Sequence, residues 1–320
     1  MGLLDIIFFA GGFALLLFGA HFLVEGGSAF GRRQKIPDIV IGLTIVSFGT
    51  SAPEMVISLL ASAEGATDLA ISNVIGSNIF NTFVIIGVAA AIYPITVRKN
   101  TLFKEFPGSM VASLLLLLFA TYITFTGEPR SLSFIDGFIF LVFFSAFLYY
   151  NLHITKKNKE TVEIHAKTLS LGKSIAFILL GLVMLFFGGR LVVDGAIKIA
   201  LEFGLSERII GLSIVAVATS LPELVTSAVA AFKRNSDIAI GNALGSNIFN
   251  IFLVLGVSAI IRPLPAADMG LDIWVAILSN LIIVAFVLVF SPKLRVIKQW
   301  QGGVLILFYI VYMVYTFAVM

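Results

Sequence analysis

Long apolar runs, each close to the length needed to cross about 30 Å of hydrocarbon, alternate along the chain with short charged clusters. They predict membrane helices at about 3–30, 38–63, 69–93, 106–126, 132–151, 171–199, 207–232, 237–261, 271–290 and 299–319. The pattern therefore predicts an all-α polytopic membrane protein with ten transmembrane helices. The opening run, Gly2 to Val24, carries Asp5, lacks a basic n-region and continues unbroken past Val24, so it reads as the first membrane helix and not as a cleaved signal. Most runs are inert by composition. The exceptions are the second and seventh, their neighbours the third and eighth, and a few isolated charges.

Composition agrees with this reading. Of 320 residues, 59% are apolar and 12% charged, against roughly 45 to 50% and about 25% in soluble proteins; the mean hydropathy is +1.07. The net charge of +3 and pI near 9.1 come from bases scattered between apolar runs, with no basic stripe, which argues against nucleic acid as a partner. The chain has no cysteine, so disulfides, thiolate nucleophiles and Cys-rich zinc sites are excluded. Sixteen of the 21 bases, among them Arg32, Arg98, Lys156, Lys233 and Arg295, fall in alternate junctions, at 31–36, 94–105, 151–173, 233–236 and 291–298. The positive-inside rule then places both termini outside and the polar linker 151–170 in the cytoplasm.

The chain also repeats itself. "FGAHFLVEG" at 18–26 matches "FGGRLVVDG" at 187–195, "GTSAPE" at 49–54 matches "ATSLPE" at 218–223, and "SNVIGSNIFN" at 72–81 matches "GNALGSNIFN" at 241–250, always at an offset of 169. Over 41–92 and 210–261 the copies are identical at 27 of 52 positions without a gap. This predicts a first five-helix repeat at 1–150, the linker at 151–170 and a second five-helix repeat at 171–320. An odd number of spans per copy inverts the second, the plan of many secondary transporters whose site lies where the repeats meet.

Polar chemistry concentrates at the repeated motifs. Pro53 and Pro222 lack the N–H of a regular helical turn and free the carbonyls of Gly49 and Ala218, with those of Ser47 and Ala216 disturbed as well. Thr50 and Glu54 are four apart and share a face where the helix is regular. A glutamate at mid-span costs several kcal/mol on any scale. Two of them, Glu54 and Glu223, at matched positions of inverted copies are expected to meet, where they repel or share a proton unless a cation lies between them. A protonated structural pair is the alternative, and back-bonding to their own helix is the alternative for Thr50 and Thr219. Ser77 and Asn81, like Ser246 and Asn250, are four apart and are expected to line the same path. Asn78 and Asn247 serve equally well as glue between helices, and Asn73 and Asn242 as bridges between the repeats. This all-oxygen set suits hard cations, Ca²⁺ or Na⁺, between which composition does not choose.

The remaining charges read as structural. Glu25 and Asp194 sit toward the ends of matched spans as caps or ion partners; Arg190, matched by His21, reads as snorkelling. Asp68 and Asp237 read as helix-start acids, and Asp136 as structural.

Taken together, "GTSAPE" plus "GSNIFN", repeated as "ATSLPE" plus "GSNIFN", resembles the calcium/cation antiporter superfamily, in particular its prokaryotic sodium/calcium exchangers of the potassium-independent type; the likeness covers essentially the whole chain. The resemblance implies alpha repeats at 41–92 and 210–261, and two long helices, the first of each half, sliding across a core of the other eight. It implies a central calcium site held by Glu54 and Glu223 with Thr50 and Thr219. Flanking sodium sites would use Ser51 and Ser220, the carbonyls of Ser47 and Ala216, and Ser77 and Ser246; Asn81 and Asn250 match the middle site. Ala218 departs from the glycine that usually opens the second motif, and Ser72 stands where the second copy has Gly241. The implied activity is electrogenic antiport of about three Na⁺ for one Ca²⁺ by alternating access in a prokaryotic cell membrane, without enzymatic activity or prosthetic group, by a fold able to work as a monomer in the lipid bilayer. The alternative within the superfamily is proton/calcium antiport, whose members usually carry Asn where this chain has Thr50 and Thr219.

Overall fold

The computed structural model describes residues 3–121, 131–157, 169–202, 216–266 and 269–319. Apolar composition gives long helices: α1 (Leu3–Gln34), α2 (Asp38–Thr50), α3 (Ala52–Glu64), α4 (Thr67–Ile92), α5 (Thr101–Thr121), α6 (Phe134–Lys157), α7 (Leu171–Glu202), α8 (Ala216–Thr219), α9 (Leu221–Phe232), α10 (Ser236–Ile261), α11 (Gly270–Phe290) and α12 (Gln299–Val319). Among the described residues eight helices are long and apolar enough to span a membrane, or nine when α2 and α3 count as one bent span. The first part of the span expected at 207–232 lies outside the described residues.

The span expected at 38–63 is not one straight rod. It breaks at Ser51, where α2 and α3 meet at 49°. Pro53 sits in the first turn of α3, the place where a missing N–H costs nothing. Pro222 does the same for α9, and the hinge residues Ser51 (φ −79°, ψ 5°) and Ser220 (φ −85°, ψ 4°) have nearly the same backbone. The expectation that Thr50 and Glu54 share one helical face is corrected by this break, because the two residues lie on different helical pieces.

α4 and α10 form the centre: 72% and 78% of their apolar stretches are enclosed by protein, against 17% for the outer α6 and α12. Each contains a π-helical stretch, Asn81–Ile85 in α4 and Phe249–Leu255 in α10. Such turns recur at functional sites because the extra residue resets the helical register and loosens carbonyls.

Outside this core, α1 and α7 pack backbone against backbone. A Cβ placed on Gly12 would come 2.9 Å from the carbonyl of Gly188, one on Gly19 2.9 Å from that of Gly181, and one on Gly26 2.8 Å from that of Ser174. The partner numbers fall as the α1 numbers rise, so the two helices run antiparallel along a seam of small residues seven apart, the kind of contact that lets membrane helices approach closely.

Two short antiparallel ladders tie the ends together: β1 (Ile95–Thr96) pairs with β4 (Val296–Ile297), and β2 (Ser131–Leu132) with β3 (Leu264–Pro265). The first ladder joins two of the basic junctions. Nearby, Arg98 pairs with Asp237 at 2.6 Å, and a cavity of about 380 Å³ is lined by Arg32, Asp38, Arg98, Lys233, Arg234 and Asp237 among others. Asp237 is thus an ion-pair partner, and the helix start it was expected to cap is capped by Asn235, whose side chain accepts from the N–H of Ile238 at 3.1 Å. Asp136 accepts from the N–H and hydroxyl of Ser133 at 2.8 and 2.7 Å, a structural role as expected.

Candidate functional site

The hinges at Ser51 and Ser220 place two glutamates in the interior, one turn into α3 and α9. Glu54 and Glu223 are both fully buried. Each is bound by the hinge serine of the other motif: Ser51 Oγ donates to Glu223 Oε1 at 2.8 Å, and Ser220 Oγ lies 3.0 Å from Glu54 Oε1 and from Ser77 Oγ. Ser246 Oγ lies 3.4 Å from Glu223 Oε1. The second oxygens, Glu54 Oε2 and Glu223 Oε2, have no hydrogen-bond partner among the described residues.

Two carboxylates out of water, each half-satisfied, are costly: an uncompensated buried charge is worth several kcal/mol. Among the described residues there is no group of three or more His, Asp or Glu side chains suited to a metal; the surrounding groups are neutral oxygens. Thr50, Ser47, Ser77, Ser246, Ser220 and Asn81 are fully buried beside Ser51 and Thr219 at 2% exposure. Such a set can hold a cation by oxygen alone.

The middle of the site is made by the asparagines. Asn81 is fully buried, and neither its Oδ1 nor its Nδ2 has a partner among the described residues. Asn250 Nδ2 donates to Asn78 Oδ1 at 3.1 Å, which leaves its own Oδ1 unpartnered among the described residues. Asn78 Nδ2 in turn donates to the carbonyl of Asn247 at 3.2 Å, and Asn247 Nδ2 to Thr82 Oγ1 at 2.9 Å. These bonds tie α4 to α10, and Asn247 Oδ1 has no partner among the described residues.

The backbone positions are placed less completely. The carbonyl of Ser47 accepts from the N–H of Ser51 at 2.9 Å and lies 3.3 Å from Thr50 Oγ1. Ala216 opens α8, and its side chain lies outside the described residues. Thr50 Oγ1 also lies 3.1 Å from Val46 O and 3.0 Å from Asn242 Oδ1, so its one proton has acceptors both on its own helix and across the repeat.

A cavity of about 250 Å³ leads to this cluster, lined by Pro53, Phe186, Arg190, Asp194, Thr219 and Pro222 among others. At its rim Arg190 faces Asp194 at 3.9 Å. Arg190, read from sequence as snorkelling, thus has an acidic neighbour one turn away. The matched positions at the other end of the seam behave differently. His21 Nε2 is 3.0 Å from Glu25 Oε2, Lys233 Nζ is 3.6 Å from the same oxygen and donates to the carbonyl of His21 at 3.2 Å. Burial lowers the pKa of Lys233 from its ordinary value, and the Glu25 charge opposes that shift. Asn235 donates to Ser28 at 3.2 Å and to Asp38 at 2.7 Å, which ties α1 to the turn between α9 and α10. These closures escape sequence reading, which has only the 169-residue offset of Glu25 and Asp194 as a signal.

Comparison with known proteins gives the family. The family described as sodium/calcium exchanger protein matches residues 4–153 and 173–318. The putative antiporter CaxA of Alkalimonas amylolytica is 37% identical over 317 residues, covering 98% of both chains. The sodium/calcium exchanger MaX1 of Methanosarcina acetivorans is 31% identical over 339 residues, covering 96% of each. Among solved structures, that of the sodium-calcium exchanger NCX_Mj soaked with 10 mM Na⁺ and zero Ca²⁺ superimposes with a TM-score of 0.84 at 31% identity, over 98% of this chain and 99% of that one. A family match along nearly the whole length, with relatives 37% and 31% identical over 98% and 96% of the chain, makes the chain a member of the sodium/calcium exchanger protein family.

Proposed function

We propose that the protein exchanges about three Na⁺ for one Ca²⁺ by alternating access, through a site built from Glu54, Glu223, Thr50, Thr219, Ser51, Ser220, Ser77, Ser246, Asn81 and Asn250 and the carbonyls of Ser47 and Ala216. The observation that carries this reading is the crosswise pair of buried carboxylates: each glutamate has one oxygen held by a serine from the other motif and one with no partner among the described residues. One Ca²⁺ compensates both charges, and sodium, of nearly the same ionic size, finds the neutral oxygens around them.

The ten-helix plan in two inverted halves is part of the proposal. It is supported by the antiparallel course of α1 and α7, which are matched copies in sequence, and by the two ladders, in which β1 and β3 occupy matched positions and each pairs across the halves. The basic junctions gathered around the cavity at Arg32, Arg98 and Lys233 support a cytoplasmic placement of that face. With it go outside termini and a cytoplasmic 151–170 linker. The Arg190–Asp194 cavity then lies toward the outside, and the Glu25–Lys233 tie lies toward the cytoplasm beside a cavity of about 350 Å³ lined by Glu25, Ser28 and Lys233 among others.

The test is transport. Proteoliposomes loaded with sodium and diluted into sodium-free buffer should accumulate radioactive Ca²⁺, faster when the interior is made positive, because the surplus charge leaving with sodium responds at about 2.3 kcal/mol per 100 mV. Correctly inserted protein that shows no uptake would refute the proposal. Uptake driven by a pH gradient without sodium would point to proton coupling instead.

A further inference from the structure

Two asparagines outside the proposed ligand set, Asn242 and Asn73, are wired into it. Asn242 is fully buried in the first part of α10. Its Oδ1 accepts from Thr50 Oγ1 at 3.0 Å; its Nδ2 donates to the carbonyl of Glu223 at 3.1 Å and to Ser227 Oγ at 2.9 Å. Asn73, 169 positions earlier in α4, accepts from Thr219 Oγ1 at 3.4 Å and donates to Ser58 Oγ at 3.0 Å. Each asparagine thus reaches the threonine of the opposite motif and is itself held by a serine on the helix packed beside it.

A threonine hydroxyl has one proton to give. Thr50 Oγ1 has three acceptors in range: Asn242 Oδ1 at 3.0 Å, Val46 O at 3.1 Å and Ser47 O at 3.3 Å. A proton given to its own helix, the habit of threonine in helices, occupies a lone pair of the Val46 or the Ser47 carbonyl, the second of which belongs to the proposed ligand set. The Ser47 carbonyl already accepts the Ser51 N–H, and a carbonyl oxygen has two lone pairs, so back-bonding there leaves none for a cation. Asn242 offers the shortest of the three contacts. Its amide is also held in place by two donated bonds, so Oδ1 stays turned toward Thr50.

We infer that Asn242 and Asn73 are positioning residues of the ion site. Asn242 draws the Thr50 proton away from its own helix and leaves the Thr50 oxygen and the Ser47 carbonyl with lone pairs for the ion; Asn73 orients the Thr219 hydroxyl from the opposite repeat, through a longer bond. Through its Nδ2, Asn242 also fixes the backbone of Glu223. The inference rests on the reading of this cluster as the ion site.

The test is a double-mutant cycle on the full-length protein in proteoliposomes, with wild type and Glu54→Gln as references. Wild type that exchanges sodium for calcium, with Glu54→Gln silent, upholds the reading of the site independently of the asparagines; an inactive wild type or an active Glu54→Gln overturns reading and inference together. Asn242→Ala is expected to raise the half-saturating Ca²⁺ and Na⁺ concentrations about tenfold, the scale of one hydrogen bond of about 1.4 kcal/mol, and by a larger factor than it lowers the maximal rate. Thr50→Val should do the same, and the double variant should fall clearly short of the product of the two single effects, because the two share the Thr50–Asn242 bond while Asn242 also acts through the Glu223 carbonyl. Asn73→Ala with Thr219→Val provides a second cycle with a smaller effect of about threefold, as its longer contact implies. Half-saturation within twofold of wild type in both asparagine variants, or effects that multiply in the double variants, would overturn the inference. So would loss of folding in both alanine variants, which would make the asparagines structural.

Discussion

At the scale of single residues, the division of charge decides what the site can hold. Replacing Glu54 or Glu223 by Gln removes one of two full charges that face a divalent ion in a low-dielectric interior, so calcium uptake should fall below detection in either variant while the protein remains folded. Near-wild-type uptake by either would refute the pairing. Asn81 and Asn250 are both amides, which leaves two carboxylates at the centre. One Ca²⁺ neutralises them, and an added K⁺ would be an uncompensated buried charge. Calcium uptake at fixed sodium gradient and clamped voltage should therefore be unchanged when choline replaces K⁺ on both sides; a strict potassium requirement would defeat this. The glutamates were legible in the sequence because a carboxylate after a proline inside an apolar run has no ordinary structural role. Their partners were not: Ser51 meets Glu223 across 172 positions and Ser220 meets Glu54 across 166, and only the packing of the hinges brings those hydroxyls to those oxygens.

Among the elements, the contact between α1 and α7 is the most exacting. A side chain at Gly19 would put its Cβ 2.9 Å from both the Gly181 carbonyl and the Leu185 amide nitrogen, and backbone does not yield as a flexible side chain does. Gly19→Val should destabilise the protein by about 1 to 3 kcal/mol, read as a lower melting temperature in detergent, whereas Leu17→Val on the exposed side of α1 should leave it nearly unchanged. Equal melting temperatures would mean that the helices separate easily. The matched glycines were visible at an offset of 169, but their pairing of Gly12 with Gly188 and Gly19 with Gly181 depends on the direction in which the helices run. Likewise the span expected at 38–63 had the right ends, while its 49° bend comes from Pro53 taking a first-turn position that only a broken helix provides. The two-residue ladders carried no sequence signal, since each strand exists only through its partner.

For the molecule as a whole, the two ends of the α1–α7 pair are held differently: beside Arg190 and Asp194 a cavity reaches Thr219, while at the other end, where Glu25, Ser28 and Lys233 line a cavity of about 350 Å³, Lys233 and Asn235 tie α1. Because the chain has no cysteine, a single Ser28→Cys at the tied end can report on it. Maleimide labelling there should be slow, and Lys233→Met should speed it by up to about fivefold, in keeping with a partly exposed ion pair worth about 1 kcal/mol at most; an unchanged rate would show that Lys233 does not hold the closure. The gathering of Arg32, Arg98 and Lys233 on one face follows the alternation of charge along the sequence, whereas the ties made by Lys233 and Asn235 were not legible, because both ends of the pair carry the same pattern of an acid and a base one turn apart. The serine–glutamate crossing also bears on heredity. Since each carboxylate answers to a hydroxyl encoded half a gene away, a change in one copy is felt first in the other, and neither can drift alone. The pairs Ser51/Ser220 and Glu54/Glu223 are two of the 27 identities among 52 positions, and at these two the crossing bonds tie the likeness of the copies to mutual dependence as well as to common origin.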